Sequence, residues 1–352
     1  MTGIRYVPIL KGKAGEMDAL RDCGLATRRT MFPLVEAVPP DDTSDLTAAE
    51  KALSTLTTRL APRFSDPIQF DVGLFDLTVP VDGTRSAVGV LMDLARSESI
   101  VAQPVVRIGD PPIAIADVAE ACKLDRRGIT IRLLGDELDE EPADLDDAFD
   151  DLLASVGVSR SEADLLIDLG AVEGDVAVRG GARMVISLMR DLPSIHDWRT
   201  VTVASGAFPV DLSQFSANVI GERPRYDAQL FDAVTRKTTP RQPDYGDYAI
   251  AHPLLTTGAP FSPPPQLRYT VSDRWLVLKG RRNDPLGNSQ FQRICTIIAA
   301  HPEFAGAPCG LADARIAAGS PDGVGNGTTW RAVGTNHHLD YVVRRLTTLG
   351  EP

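Results

Sequence analysis

Eight short runs rich in Val, Ile, Leu and Phe recur along this chain, each bounded by Pro, Gly or charged residues, and their spacing limits what it can fold into. The runs are Ile4–Leu10, Met31–Val38, Ile68–Leu77, Gln103–Ile108, Ile129–Leu134, Leu165–Leu169, Thr200–Ala204 and Tyr248–His252. Between them lie stretches of helical periodicity: Gly15–Cys23, Asp45–Leu60, Arg85–Arg96, Ile113–Leu124, Leu145–Val156, Asp175–Arg190 and Arg225–Thr235. Apolar strands alternating with amphipathic helices read as parallel βα units, because a strand covered on both faces is apolar throughout. An open doubly wound sheet is the rival. It carries a Gly-rich phosphate turn after its first strand, where this chain has Lys11-Gly12-Lys13-Ala14-Gly15-Glu16, neither a GxGxxG nor a P-loop. Eight units therefore predict an α/β fold, a (β/α)8 TIM-like barrel over residues 1–252.

Beyond His252 the pattern changes. Residues 253–266 are Pro-rich and read as an irregular connector. Leu267–Tyr269 and Trp275–Gly280 read as a hairpin turning at Ser272-Asp273, followed by a helix over Ser289–His301 and a Gly/Pro-rich tail. A short final helix is expected from Asn336. Residues 253–352 are thus expected to form an appendage packed on the barrel, with one helix completing its outer ring. Gly180-Gly181 either weakens the sixth predicted helix or marks its true start, which would leave 174–180 as a rim loop.

The opening MTGIRYVPIL lacks a basic segment followed by a long apolar stretch, and no apolar run approaches the ~20 residues that span a bilayer. Cys23, Cys122, Cys295 and Cys309 form no CxxC pair and read as free thiols of a reducing compartment. The expectation is a soluble, cytoplasmic protein. With 36 Lys and Arg against 48 Asp and Glu, the formal charge of −12 argues against general nucleic-acid or membrane affinity. Segment 136–151 alone holds ten carboxylates and no basic residue. It reads as a solvated helix start or as a patch for a partner or cation.

In such a barrel the loops after the strands carry the chemistry. The charged and polar residues there are Lys11, Lys13, Glu36, Asp71 or Asp76, Arg107, Asp110, Arg132, Asp168, Ser205 and His252. Glu36 lies in the otherwise apolar Phe32–Val38 and needs a cationic partner such as Lys11 or Lys13. As a site, Glu36, Asp168 and Lys11 are the catalytic candidates. Lys13, Arg107, Arg132 and His252 would hold an anion. As structure, the same charges would close the barrel end by pairing among themselves. A second constellation joins Lys279, Arg281 and Arg282 to Asn336 and His337, with Gly325–Trp330 as a loop across the mouth anchored by Trp330. Adjacent His337 and His338 face different directions and no HxxxH or HExxH occurs, so neither a metal site nor a cofactor is expected. One histidine is expected at a surface.

Several segments carry a resemblance. Tyr6-Val7-Pro8-Ile9-Leu10-Lys11-Gly12-Lys13 with Glu16 and Ala19-Leu20, then Phe32-Pro33-Leu34-Val35-Glu36, resemble the start of the phage beta-protein family. Lys279-Gly280-Arg281-Arg282, Gly325-Asn326-Gly327-Thr328-Thr329-Trp330 and Gly334-Thr335-Asn336-His337-His338 resemble its C-terminal part. The family occurs in T-even-like phages and, as "beta family protein", in many bacteria. The resemblance implies a setting in phage–host conflict and a macromolecular partner, and it carries no catalytic residues over. The readings open at this stage are a protein that binds such a partner or a second copy of itself, an enzyme or binding protein for a small anionic metabolite or nucleotide, and an inert scaffold.

Overall fold

In the computed structural model, which describes residues 5–61, 64–237, 239–255, 263–319 and 323–352, strand order follows chain order around a closed cylinder. The staves are β1 (Tyr6–Lys11), β2 (Leu34–Glu36), β3 (Ile68–Asp71), β4 (Ala102–Val106), β5 (Ile129–Leu134), β6 (Ala163–Ala171), β7 (Thr200–Gly206) and β9 (Asp244–Asp247). All neighbours are parallel, and β9 closes on β1 through Tyr6 beside Tyr245 and Pro8 beside Asp247. Seven of the staves coincide with the predicted runs. Ile4, which heads the first run, lies outside the described residues, as do residues 256–262 of the connector.

The eighth stave is a correction: it is Asp244–Asp247, and the apolar run Tyr248–His252 is the loop beyond it. That loop is apolar because it is buried. Tyr248 plugs the barrel axis with Val7, Ile9, Leu34, Val105, Leu166 and Ala204, and Ala249 takes a left-handed φ of 51°.

The outer layer holds α1 (Ala14–Arg21), α2 (Leu25–Thr30), α3 (Leu46–Leu60), α4 (Ala87–Ser97), α5 (Pro112–Asp125), α6 (Pro142–Val156), α7 (Asp175–Asp191) and α8 (Tyr226–Thr235). Helix α7 runs unbroken through Gly180-Gly181, so no rim loop spans 174–180. The reason is packing: a Cβ at Gly181 would lie 2.6 Å from Leu169 and 2.9 Å from Leu230. Among the described residues no helix of the ring lies between β9 and the residues from Gln266 onward. Its place is taken by α11 (Gly327–Leu349), which packs on α1 and β1 and adds Leu339, Val342, Val343 and Leu346 to the main core.

The appendage is built on a three-stranded antiparallel sheet, β10 (Gln266–Thr270), β11 (Arg274–Lys279) and β8 (Gly221–Pro224). β8 comes from the connection between β7 and α8, so the sheet draws one strand from inside the range predicted as barrel. Helices α9 (Gln290–Ala299) and α10 (Leu311–Ala317) cover it around Leu267, Tyr269, Phe291 and Trp330. Helix α11 is longer than expected: it starts at Gly327, capped by Asn326, whose side chain accepts the Thr329 N–H at 3.1 Å. Gly325–Trp330 is therefore not a loop across the mouth. Trp330 lies in the first turn, stacked on Phe291, with its indole donating to Val324 O at 2.7 Å. Gly334 lets α11 pass over the hairpin, since a Cβ there would stand 2.7 Å from Arg268 O.

Candidate functional site

Alternate residues of a strand face the same side. Register places Lys11, Glu36 and Asp71 side by side at the C-terminal end of β1, β2 and β3, on the inward face. Arg132 of β5 reaches across the axis to them. Its Nη1 donates to Glu36 (3.0 Å) and to Asp71, its Nε and Nη2 to Asp168 (3.0 and 2.6 Å), and Nη2 also to the Tyr248 hydroxyl at 2.7 Å. Lys11 Nζ donates to Glu36 and to Pro253 O. Arg107 clasps Asp71 at 2.9 and 2.7 Å, and Tyr248 donates to Asp168 at 2.6 Å. Lys11, Glu36, Arg107, Arg132 and Asp168 thus sit in one cluster, with Asp71 and Tyr248 as the links.

The cluster is balanced and closed. Three cations, Lys11, Arg107 and Arg132, meet three carboxylates, Glu36, Asp71 and Asp168. Arg132 is 1% exposed, Asp168 0% and Glu36 5%. Burial pushes the Asp71 carboxyl up, but Arg107, Arg132 and the Gly73 N–H outweigh it and hold the group at about 2. Burial likewise opposes the Arg132 charge, yet Tyr248, Asp168, Glu36 and Asp71 raise its pKa well above the usual arginine value. Gly73 makes room, since a Cβ there would fall on the Arg107 guanidinium. The Lys11–Glu36 pair does not open into a cleft; it is a buried tie within this lattice.

The remaining predicted residues lie elsewhere. Asp76 is exposed and caps its own turn through Thr78, and Asp110 accepts the Arg107 N–H. Ser205 is buried at the end of β7. His252 accepts the Leu254 N–H on Nδ1 and faces Glu173 at 4.0 Å; burial lowers its pKa, with Glu173 opposing. Lys279 donates to Leu212 O at 2.6 Å, while Arg281 and Arg282 are exposed past the hairpin. Asn336, His337 and His338 are buried in mid-α11, so no histidine of the pair is at a surface. The helix is clamped between barrel and appendage, and successive residues are covered from opposite sides. Asn336 donates to Ala19 O at 3.1 Å. His337 stacks on Tyr269 and bridges Asp313 (3.0 Å) and Thr270 O (2.8 Å). His338 joins Thr270 Oγ1 (2.8 Å) to Asp247 of β9 (2.9 Å).

Beside the closed lattice, between the β1–α1 loop, the loop after β9 and the appendage, lies a cleft of about 620 Å³. Lys13, Gly15, Ile250, Gln266, Arg268, Thr328 and Arg331 are among its walls. Arg268 and Arg331 both donate to Ile250 O, at 2.5 and 3.1 Å, and Arg268 lies over the Phe208 ring at 4.3 Å. Among the described residues neither forms an ion pair. Burial lowers the pKa of both. For Arg268 the Arg331 charge adds to the effect, and Glu16 opposes it for both. Glu16 is 5% exposed and its Oε2 has no hydrogen-bond partner; burial raises its pKa against the pull of Arg331. The Gln266 Oε1, on the cleft wall, is also unpartnered. The first turn of α11 adds Gly327 and Thr328 at a helix N-terminus, the positive end of its dipole. A Cβ on Gly15 would meet Thr328 O and Arg331 Cγ at 2.9 Å, so glycine there sets the approach of α1 to α11. Arg268 and Arg331 were not singled out in the sequence: one is on a hairpin strand, the other on a helix 63 residues later, and no motif joins them.

Closed parallel strands, a ring of helices and polar groups gathered at the strands' C-terminal end define a TIM-type barrel protein, here with a sheet-and-helix appendage. The chain belongs to the Beta protein family, whose profile matches residues 6–344. No curated protein sequence matches it. Among solved structures it is similar to a type I 3-dehydroquinate dehydratase from Clostridium difficile, at 8% identity and a TM-score of 0.41 over 72% of this chain and 88% of that one. It is also similar to triosephosphate isomerase from Bartonella henselae, at 11% identity and a TM-score of 0.35 over 69% and 92%. Both likenesses concern the fold alone. Among the described residues no helix is long and apolar enough to cross a membrane.

Proposed function

We propose that this barrel binds a small anionic ligand, a phosphate- or carboxylate-bearing metabolite, in the cleft between the β1–α1 loop and the appendage. One contrast supports the reading. At the barrel axis every buried charge has an opposite partner, whereas in the adjoining cleft neither Arg268 nor Arg331 forms an ion pair among the described residues, and the carboxylate acting on both is Glu16. Arginines kept partly buried at a lowered pKa cost stability, and an arriving anion offsets that cost. Planar guanidinium forks and the N–H groups of the α11 first turn match oxyanion geometry. The lattice of Lys11, Glu36, Arg132 and Asp168 then serves as the rigid floor that positions Lys13 and the loop after β9. The test is calorimetric titration with inorganic phosphate and pyrophosphate. Binding to the wild type, weakened at least about tenfold in Arg331→Met and in Lys13→Gln, is expected. Equal affinity in all three proteins would end the proposal.

A macromolecular partner in phage–host conflict, which the resemblance implies, is a second reading favoured by a different surface. Glu140, Glu141, Asp144, Asp147, Asp150 and Asp151 are exposed along the start and outer face of α6. A basic partner would bind there with steep salt dependence, and charge reversal at Asp147 and Asp151 would abolish the capture.

A further inference from the structure

The end of the barrel opposite the cleft holds charges that the fold does not use. A depression of about 320 Å³ opens there, lined by Arg5, Phe32, Pro67, Ile68, Val101, Ala102, Gln103, Arg126, Arg127 and Arg199. These residues precede or begin β1, β2, β3, β4, β5 and β7, so they belong to the N-terminal rim. Below them lies a satisfied polar layer. Arg199 donates to Asp164 at 2.8 and 2.6 Å, to Gln103 at 2.6 Å and to Arg127 O at 2.8 Å, and Gln103 donates to Thr130 at 2.7 Å.

The other three guanidiniums have no such employment. Arg5 uses its backbone N–H on Asp244, and its guanidinium carbon lies 4.1 Å from the centre of the Phe32 ring. Arg126 and Arg127 are exposed, and among the described residues neither side chain has a hydrogen bond or an ion pair. Arg126 caps α5 in a left-handed conformation, φ 53°, where a glycine would sit without strain. A cation at a helix C-terminus is favourable, but that accounts for one arginine and not for three around one hollow. Asp164 and Asp244 are the carboxylates acting on Arg5, and both are already engaged, by Arg199 and by the Arg5 backbone. Burial also lowers the Arg5 pKa, with the two aspartates opposing. Conserving stability alone would not concentrate like charges on this face of a barrel, whose usual burden is structural.

We infer that this hollow is a second anion site, taking a small organic phosphate whose phosphoryl group is held by Arg5, Arg126 and Arg127 and whose apolar body lies against Pro67 and Val101. The volume is that of a small-ligand pocket. Several guanidiniums lining one hollow suit a phosphate dianion better than a single carboxylate. The site is independent of the cleft beside the appendage, being at the other end of the strands.

The probe is phenyl phosphate, titrated calorimetrically against the full chain, with inorganic phosphate as the comparison. Arg126 and Arg127 are exposed, so Arg126→Ser combined with Arg127→Ser keeps the fold, checked by an unchanged urea midpoint. The expected result is loss of one equivalent of phenyl phosphate in the double variant, and at least about fivefold tighter binding of phenyl than of inorganic phosphate at that equivalent. In the Arg331→Met background the same equivalent remains, and adding the double variant removes it. Unchanged stoichiometry in the double variant overturns the inference whatever happens at the cleft. If Arg331→Met has no effect while the double variant loses its equivalent, the cleft reading fails and this one stands.

Discussion

Replacing Arg132 by Met isolates what the buried lattice contributes. Among the described residues, its guanidinium is the one group that bonds to Glu36, Asp71 and Asp168 together. Without it Glu36 keeps Lys11 and Asp71 keeps Arg107, but Asp168 keeps only neutral donors, the Tyr248 hydroxyl and the Gly170 N–H. Removing one partner of a buried pair costs about 3–5 kcal/mol, because the other charge stays buried. Two of the three carboxylates retain a cation, so the loss is expected to be near one such increment rather than three. That is a large part of an ordinary domain's stability of about 5–15 kcal/mol. Urea denaturation followed by circular dichroism measures it. Arg132→Met combined with Asp168→Asn restores the charge balance, and is expected to recover at least half of the loss despite carrying one substitution more. A single variant within about 1 kcal/mol of the wild type, or a double variant no better than the single, would refute the reasoning.

Other expectations follow from the same geometry. Asp71 titrates near 2 rather than at 3.8, so its contribution is complete above pH about 4 and is lost as pH falls towards 2; at 1.36 kcal/mol per pH unit this is about 2 kcal/mol, read from urea midpoints between pH 6 and pH 2. Asp71→Asn should flatten that slope, and an unchanged slope would count against it. Gly181→Ala drives a methyl group against Leu169 and Leu230 and should cost about 1–3 kcal/mol by thermal unfolding, whereas Gly180→Ala, with open space around it, should stabilise α7 slightly. Of the four cysteines, burial raises Cys122 and Cys295 to about 12 and Cys23 well above its usual value, while Cys309 is partly exposed beside the Arg344 guanidinium. An aromatic disulfide reagent at pH 8 should therefore label one thiol in the native protein and four in urea; fast labelling of more than one would contradict the burial.

The barrel was legible because its strands are short apolar runs separated by amphipathic helices, a pattern that parallel burial imposes on the barrel part of the chain. The lattice was legible for a related reason: Glu36 inside an apolar run needs a cation, and strand parity brings Lys11 beside it. What failed was local. Tyr248–His252 is as apolar as a strand, but Tyr248 plugs the barrel axis and Ile250 packs against Phe208 and Trp275 instead of the segment pairing in the sheet. Gly327 and Gly334 look like loop residues, yet Asn326 caps the helix at the first and the second admits the hairpin backbone. One of the two histidines was expected at a surface, because polarity alone does not reveal a helix covered from both sides. The cleft was invisible for a deeper reason. Arg268 and Arg331 come together only when α11 lies across β10, a contact that no periodicity encodes.

The most direct test of the cleft is the crystal structure of the protein soaked in tungstate, a tetrahedral oxyanion located by its anomalous scattering. The expected peak lies between the Arg268 and Arg331 guanidiniums and the first turn of α11, at about 3–4 Å from their nitrogens. A cleft with no peak at tungstate concentrations that fill the N-terminal hollow would contradict the assignment of Lys13, Arg268 and Arg331 to an anionic ligand.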